Sequence, residues 1–288
     1  MDPDAIIELL PDEGTSAPAS LYLAFEIYLV SLLITLPRMY AFLTYSQLLT
    51  SNAAPRMARQ AIILVLAAAT SPMNLQYAKE IPTELPLFAL LFFKEFVIGF
   101  LMGYAVAWLF WCVQAAGGLI DNQRGAAIAA SIDPLQGHES TPIGNVLSQA
   151  FMTYFLASGG FLILLMIIMQ SYLALPVNVF IPAPPAELPR MALEIIDLGM
   201  EAMFVLAGPV LVAMFLAELA LALVSRFAPQ VQVFILAMPI KSGIAIIILI
   251  FYIQTFMIYA MGQESLLDGY MLLLYEMLND GPPLPGGE

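Results

Sequence analysis

Cysteine and histidine, the residues that build most covalent and metal centres, occur once each, as Cys112 and His138. A single chain therefore offers neither a disulfide framework nor a zinc site of cysteine and histidine ligands. Charge is equally scarce: 11% of the 288 residues are Asp, Glu, Lys or Arg, against roughly a quarter in a soluble domain. Only nine are Lys or Arg, and they form no basic stripe, which argues against nucleic-acid binding. The phosphate-binding G-x-x-x-x-G-K-[ST] and metalloprotease H-E-x-x-H patterns are missing, which removes the usual routes to ATP hydrolysis and zinc proteolysis. The start of the chain lacks the basic region of a cleaved signal peptide, so insertion is expected to rely on the mature helices.

What is present is apolar. Hydrophobic residues make up 61% of the chain and mean hydropathy is +0.89, the composition of an integral membrane protein. The formal charge of −13 gathers largely at the ends, in Asp2, Asp4, Glu8, Asp12 and Glu13 and in Glu264, Asp268, Glu276, Asp280 and Glu288. These read as solvated acidic tails over 1–19 and 263–288. A transmembrane helix needs about 20 mostly apolar residues. By that measure six helices are expected, at 20–49, 58–72, 87–119, 145–175, 191–225 and 230–262. Several are poor spans: 58–72 is short, 20–49 holds Glu26 and Pro37-Arg38, and 87–119 is overlong and carries Lys94-Glu95.

A charged side chain in hydrocarbon costs about 2.5–3.5 kcal/mol. Lys94, Glu95, Glu218, Arg226 and Lys241 should therefore face protein, water or the interface. They read either as snorkelling and structural ion pairs or as signs that these helices pack within a polar assembly. Arg56 and Arg59 favour a cytoplasmic first connection. Gly99, Gly103 and Ala107 fall on one helix face at four-residue spacing, which lets another helix approach closely, and Gly117-Gly118 and Ser158-Gly159-Gly160 extend that tendency. Pro229 should break the apolar run from Met203 into a helical hairpin whose tight connection holds Arg226, Gln230 and Gln232. Pro239-Lys241 is expected to interrupt the returning helix. The stretch 181–189 reads as an extended connector and 281–287 as a disordered tail.

Between two long apolar stretches lies "DNQRGAAIAASIDPLQGHESTPIG", Asp121 to Gly144. His138 with Ser131 or Ser140 could form a nucleophile and base, and Asp121 with Asp133 a carboxylate pair. Such residues in a Gly- and Pro-rich loop are more often turn formers. The methionines, among them Met166 and Met169, read as adaptable packing or as a soft seal.

Three stretches together resemble one family. The run from Lys94 to Gly144 carries Glu95-x-x-x-Gly99, Ile120-Asp121-x-Gln123-Arg124-Gly125 and Asp133-Pro134, and Ser225 to Lys241 carries Ala228-Pro229-Gln230. With the weaker "LPRMYAFLTYSQLL" and "APRMARQAIILVLA", they look like the T component of the type III secretion export apparatus, in matching order over about 20–262. The Ile-Asp-Asn-Gln-Arg-Gly form and the Pro239-x-Lys241 ending are more similar to the virulence (injectisome) branch than to the flagellar one.

The resemblance implies an all-α, multi-pass protein of the bacterial inner membrane, its partly broken helices arranged as hairpins in a hetero-oligomeric export gate. Residues 20–180 would be similar in fold to the R subunit and 181–262 to the two-helix S subunit. Partners would be R and S subunits, the U switch and V subunits, lipid, and unfolded secreted proteins in transit; no catalysis or cofactor is implied. Gly125 to Pro142 would be a plug projecting into the pore, with Gly125, Ala126, Ala127, Ile128, Ala129, Ala130, Ser131, Ile132, Asp133 and Pro134 as its plug residues; Ala126, Ala127, Ala129, Ala130 and Ser131 are small enough to fill a narrow pore, and Gly125, Pro134 and Gly137 fix turns. Asp121, Gln123 and Arg124 would anchor the loop base. The leading alternatives are a secondary transporter using Lys94, Glu95, Glu218 and Lys241 as a relay and an intramembrane hydrolase using Asp121 and Asp133.

Overall fold

The computed structural model describes residues 17–49, 55–78, 81, 85–125, 141–178, 188–227 and 233–262. Among them there is no strand. The helices are α1 (Ala17–Tyr45), α2 (Arg56–Thr70), a 3-10 turn (Ser71–Asn74) leading into the short α3 (Leu75–Ala78), α4 (Leu85–Arg124), α5 (Pro142–Ala157), α6 (Gly160–Ala174), α7 (Leu188–Phe227) and α8 (Val233–Gly262). Five are long and apolar enough to cross a membrane, or six if the bent pair α5 and α6 counts as one span. The chain is thus an all-α membrane protein with the expected number of long helices.

Two boundaries differ from expectation. The segment 145–175 is not one helix: α5 and α6 meet at a bend of 72°. Gly159 sits there at φ +91°, a left-handed conformation that only glycine adopts freely and that ends a helix. The Ser158 N–H closes onto the Tyr154 carbonyl at 2.9 Å and the Gly159 N–H onto Leu156 at 3.3 Å, so the end is capped by backbone. Conversely, Pro239 and Lys241 do not interrupt the last helix, since α8 runs through both. Proline deletes only its own bond, to the Ile235 carbonyl, and in the second turn of so long a helix the remaining ladder carries on. Pro37 within α1 and Pro209 within α7 are accommodated in the same way. Pro229 and Gln230, expected at the hairpin turn, lie outside the described residues.

The chain packs as two compact units: described residues within Met1–Tyr104 and Leu162–Pro185 form one, and those within Ala105–Phe161 and Ala186–Gly269 the other. In the first unit, small polar side chains join α1 to the 3-10 turn. The Ser31 hydroxyl donates to the Ser71 carbonyl at 2.6 Å, the Asn74 amide donates to the Thr35 hydroxyl at 3.0 Å, and the Tyr172 hydroxyl donates to the Thr35 carbonyl at 2.9 Å. Such bonds hold helices together where no water competes. Gly99 and Gly103 of α4 lie against the α1 backbone. A Cβ at Gly99 would overlap the Arg38 carbonyl, and one at Gly103 would come within 2.8 Å of the Phe42 carbonyl.

The second unit has an aromatic centre. Phe110 meets Phe151 and Phe155 at 5.4 Å each, with interplanar angles of 62° and 80°, edge-on arrangements that suit the ring quadrupoles. Ala107 is fully buried in this unit. Gly117 of α4 lies directly against Gly144 of α5, and Gly160 against the Phe155 ring. Helices α7 and α8 pack along each other as a hairpin pair.

Candidate functional site

The polar segment is gripped at its base by one carboxylate. Asp121 stands in the last turns of α4 and is fully buried. Its Oδ1 accepts from Arg124 Nε at 2.8 Å and lies 2.6 Å from Arg124 Nη2. Its Oδ2 accepts the backbone N–H groups of Ile143 at 2.9 Å and Gly144 at 3.2 Å. Those are amides of the first turn of α5, whose own N-cap, Thr141, makes no side-chain cap bond. Asp121 therefore caps α5 from across the segment, with the negative charge that a helix N-terminus favours. The next residue after Arg124 is Gly125, at φ +93° with its N–H on the Asn122 carbonyl at 3.1 Å, a left-handed helix end. Gly117 against Gly144 brings the two backbones close at the same place.

Of the residues expected in the loop, Gly125 is described, while Ala126, Ala127, Ile128, Ala129, Ala130, Ser131, Ile132, Asp133 and Pro134 lie outside the described residues, as do His138 and Ser140. Gln123 donates to Glu218 Oε2 at 3.4 Å, and Lys241 Nζ donates to the same oxygen at 3.1 Å. Lys241 of α8 thus pairs with Glu218 of α7, which is half exposed. Arg226 lies exposed in the last turn of α7, where a cation complements the helix dipole. An apolar groove of about 390 Å³ is lined by Arg124 and by Pro142, Ile143, Val146 and Leu147 of α5 and Ile246, Leu249, Ile250 and Ile253 of α8.

The first unit holds a second polar cluster, built on Lys94 and Glu95. Glu95 receives a two-pronged contact from Arg38, with Nε to Oε2 at 2.6 Å and Nη2 to Oε1 at 3.0 Å. Arg38 Nη1 also donates to the Ser171 carbonyl at 2.8 Å and hydroxyl at 3.1 Å, and Nη2 to the Leu175 carbonyl at 2.9 Å. A guanidinium has five N–H donors, and these five acceptors match them. The guanidinium carbon stands 4.3 Å from the centre of the Tyr172 ring, a cation–π distance. Lys94 Nζ lies 2.7 Å from Glu95 Oε1 and donates to the Pro176 and Val177 carbonyls at 3.1 Å each. The cluster therefore bonds carbonyls in and just beyond the last turn of α6, where a helix runs out of its own donors; of these the Ser171 carbonyl also accepts the Leu175 N–H at 2.9 Å. Sequence reasoning singled out Lys94 and Glu95 but gave Arg38, Ser171 and Tyr172 no role.

Among the described residues no group of three or more His, Cys, Asp and Glu could hold a metal ion, and Cys112 is buried as a free thiol.

Comparison with known proteins adds a second line of observation. The family described as bacterial export proteins, family 1, matches residues 29–265. The Yop proteins translocation protein T of Yersinia pestis is 40% identical over 189 residues, 66% of this chain and 72% of the relative. The surface presentation of antigens protein SpaR of Salmonella typhimurium is 35% identical over 196 residues, 67% and 72% of the two chains. The flagellar biosynthetic protein FliR of Bacillus subtilis is 34% identical over 167 residues, 57% and 63%.

Proposed function

The chain belongs to bacterial export proteins family 1, as a T-type component of type III secretion on the virulence branch, and from that premise we propose that it forms part of the entrance pore for unfolded substrate proteins. The observation that carries this reading is the Asp121 carboxylate, which ties the end of α4 to the start of α5. A segment closing a pore needs an immobile base and small side chains without ionic grip on substrate. Asp121, Arg124 and Gly125 supply the base, with Gln123 directed to Glu218. Ala126, Ala127, Ala129, Ala130 and Ser131 supply the small side chains.

In this reading the chain acts without catalysis or cofactor, in the bacterial inner membrane. R, S, U and V subunits surround it, 20–180 corresponds in kind to an R subunit and 181–262 to an S subunit. The buried charges are structural: Arg38, Lys94 and Glu95 are saturated by one another and by backbone carbonyls, which supports a fixed clamp over a proton relay. The test is deletion of Ala126 to Ser131 in cells carrying the whole apparatus. Assembly should persist while the membrane becomes permeable to small solutes. Cells that assemble the apparatus and stay tight would remove the plug from the account.

A further inference from the structure

Where α1 ends and α2 begins, Tyr40, Thr44, Leu49, Arg56, Arg59, Gln60 and Ile63 line a small pocket of about 60 Å³. Its polar lining is two guanidiniums, a phenol, a hydroxyl and a carboxamide, with no carboxylate among them. Among the described residues the Arg59 side chain makes one hydrogen bond, Nη1 to the Leu49 carbonyl at 3.2 Å. Its Nε is buried and has no hydrogen-bond partner among the described residues. A buried N–H of a cation left unpaired is costly and calls for an acceptor. The N-cap of α2 is Pro55, which makes no side-chain cap bond, so the positive end of that helix reinforces the two arginines.

We propose that this pocket binds a phosphate oxyanion, and specifically the headgroup phosphate of an anionic phospholipid. Size fits: the space is several times the roughly 10–15 Å³ that one water requires, enough for a phosphate and too small for a peptide segment. Chemistry fits too. A guanidinium fork matches phosphate oxygens, and tyrosine and threonine hydroxyls donate to the same oxygens. Location selects the lipid over soluble phosphate. The candidate spans Ala24–Tyr45 and Arg56–Ala78 both terminate at this pocket, and the ends of bilayer-crossing helices are where lipid headgroups lie. Arginine near a membrane surface is drawn to anionic lipid, and Arg56 and Arg59 are two of only nine basic residues in the chain. The proposal does not depend on the pore reading.

The experiment uses the purified full chain in neutral detergent, titrated separately with short-chain phosphatidylglycerol, short-chain phosphatidylcholine and inorganic phosphate, with adducts counted by native mass spectrometry. The wild type should retain phosphatidylglycerol in preference to phosphatidylcholine. Arg59→Gln should lower that retention about tenfold, the effect of losing a charge-assisted bond. Arg59→Lys should be intermediate, because the charge remains while the fork is lost. Circular dichroism reports whether each variant folds. Should Arg59→Gln fail to fold, Tyr40→Phe and Thr44→Val remove donors without touching charge and should each weaken retention severalfold. Binding of inorganic phosphate that competes with lipid and is lost in Arg59→Gln would keep the oxyanion site and overturn the lipid assignment. Equal retention of both lipids, unchanged by Arg59→Gln and with no phosphate bound, would overturn the proposal.

Discussion

At the scale of single residues the chain concentrates its few charges where helix ends need them. Arg38 and Glu95 are both fully buried, and removing one member of such a pair leaves the other without compensation, at about 3–5 kcal/mol. Glu95→Gln should therefore lower the thermal stability of the detergent-extracted protein sharply. The double variant Arg38→Met with Glu95→Met should cost less than the sum of the single changes, because the Arg38–Glu95 contact is then lost once and neither charge is left facing the other's vacancy, although Lys94 and the Ser171 and Leu175 carbonyls still lose a partner. Additive losses would show that the two do not act together. Asp121 is a parallel case with four donors on two oxygens. Asp121→Ala leaves amides of α5 uncapped and Arg124 unpaired, a loss of about 1–3 kcal/mol, whereas Asp121→Asn keeps an acceptor for α5. Hydrogen exchange at Ile143 and Gly144 should rise in the alanine variant and stay closer to wild type in the asparagine variant.

At the scale of elements the glycines separate into two kinds. Gly99 and Gly103 are needed for close approach to α1, so Gly99→Val should prevent α4 from docking and abolish stable extraction. Gly159 has nothing within 4 Å of where a Cβ would stand, and Gly159→Ala should cost only the strain of its left-handed backbone, about 1–2 kcal/mol. A melting curve of each variant distinguishes the two. The existence of the long helices was legible in the sequence because hydrophobic length is a local signal. The break at Gly159 was not, since a glycine that packs and a glycine that bends look alike until the backbone conformation is known. Lys94 and Glu95 stood out because charge in an apolar run is conspicuous. Their partners did not: Arg38, which donates to Glu95, lies 57 residues away from it, and the backbone carbonyls after α6 have no sequence signature. Asp121 was legible as an anchor candidate, while its cap on α5 arises from a meeting of helix ends that spacing alone does not encode.

At the scale of the whole molecule, α4 and α7 each run for 40 residues, about 60 Å at 1.5 Å per residue, twice the hydrocarbon thickness of a bilayer. Helices of that length extend beyond the lipid and need other surroundings along part of their course. Helices α7 and α8 also leave most of their apolar surface uncovered: 22% of the span window is buried in each, against 67% in α4. Apolar area on that scale marks contact with lipid or protein partners. Phe251, 83% exposed on α8, is a direct probe. Phe251→Gln should leave the fold of the chain within about 0.5 kcal/mol; in the proposed assembly it should reduce the yield of partner subunits recovered with the chain in mild detergent, and an unchanged yield would assign that face to lipid.

The central claim is that this export component contributes the closing segment of a pore that substrate passes. The measurement that tests it most directly is site-specific crosslinking from a cysteine at Ala129 in a Cys112→Ser background, in cells carrying the complete apparatus and an export substrate that stalls in transit. The account predicts a crosslink to a neighbouring subunit at rest and to the stalled substrate during export. A cysteine that reacts only with bulk reagent in both states would contradict it.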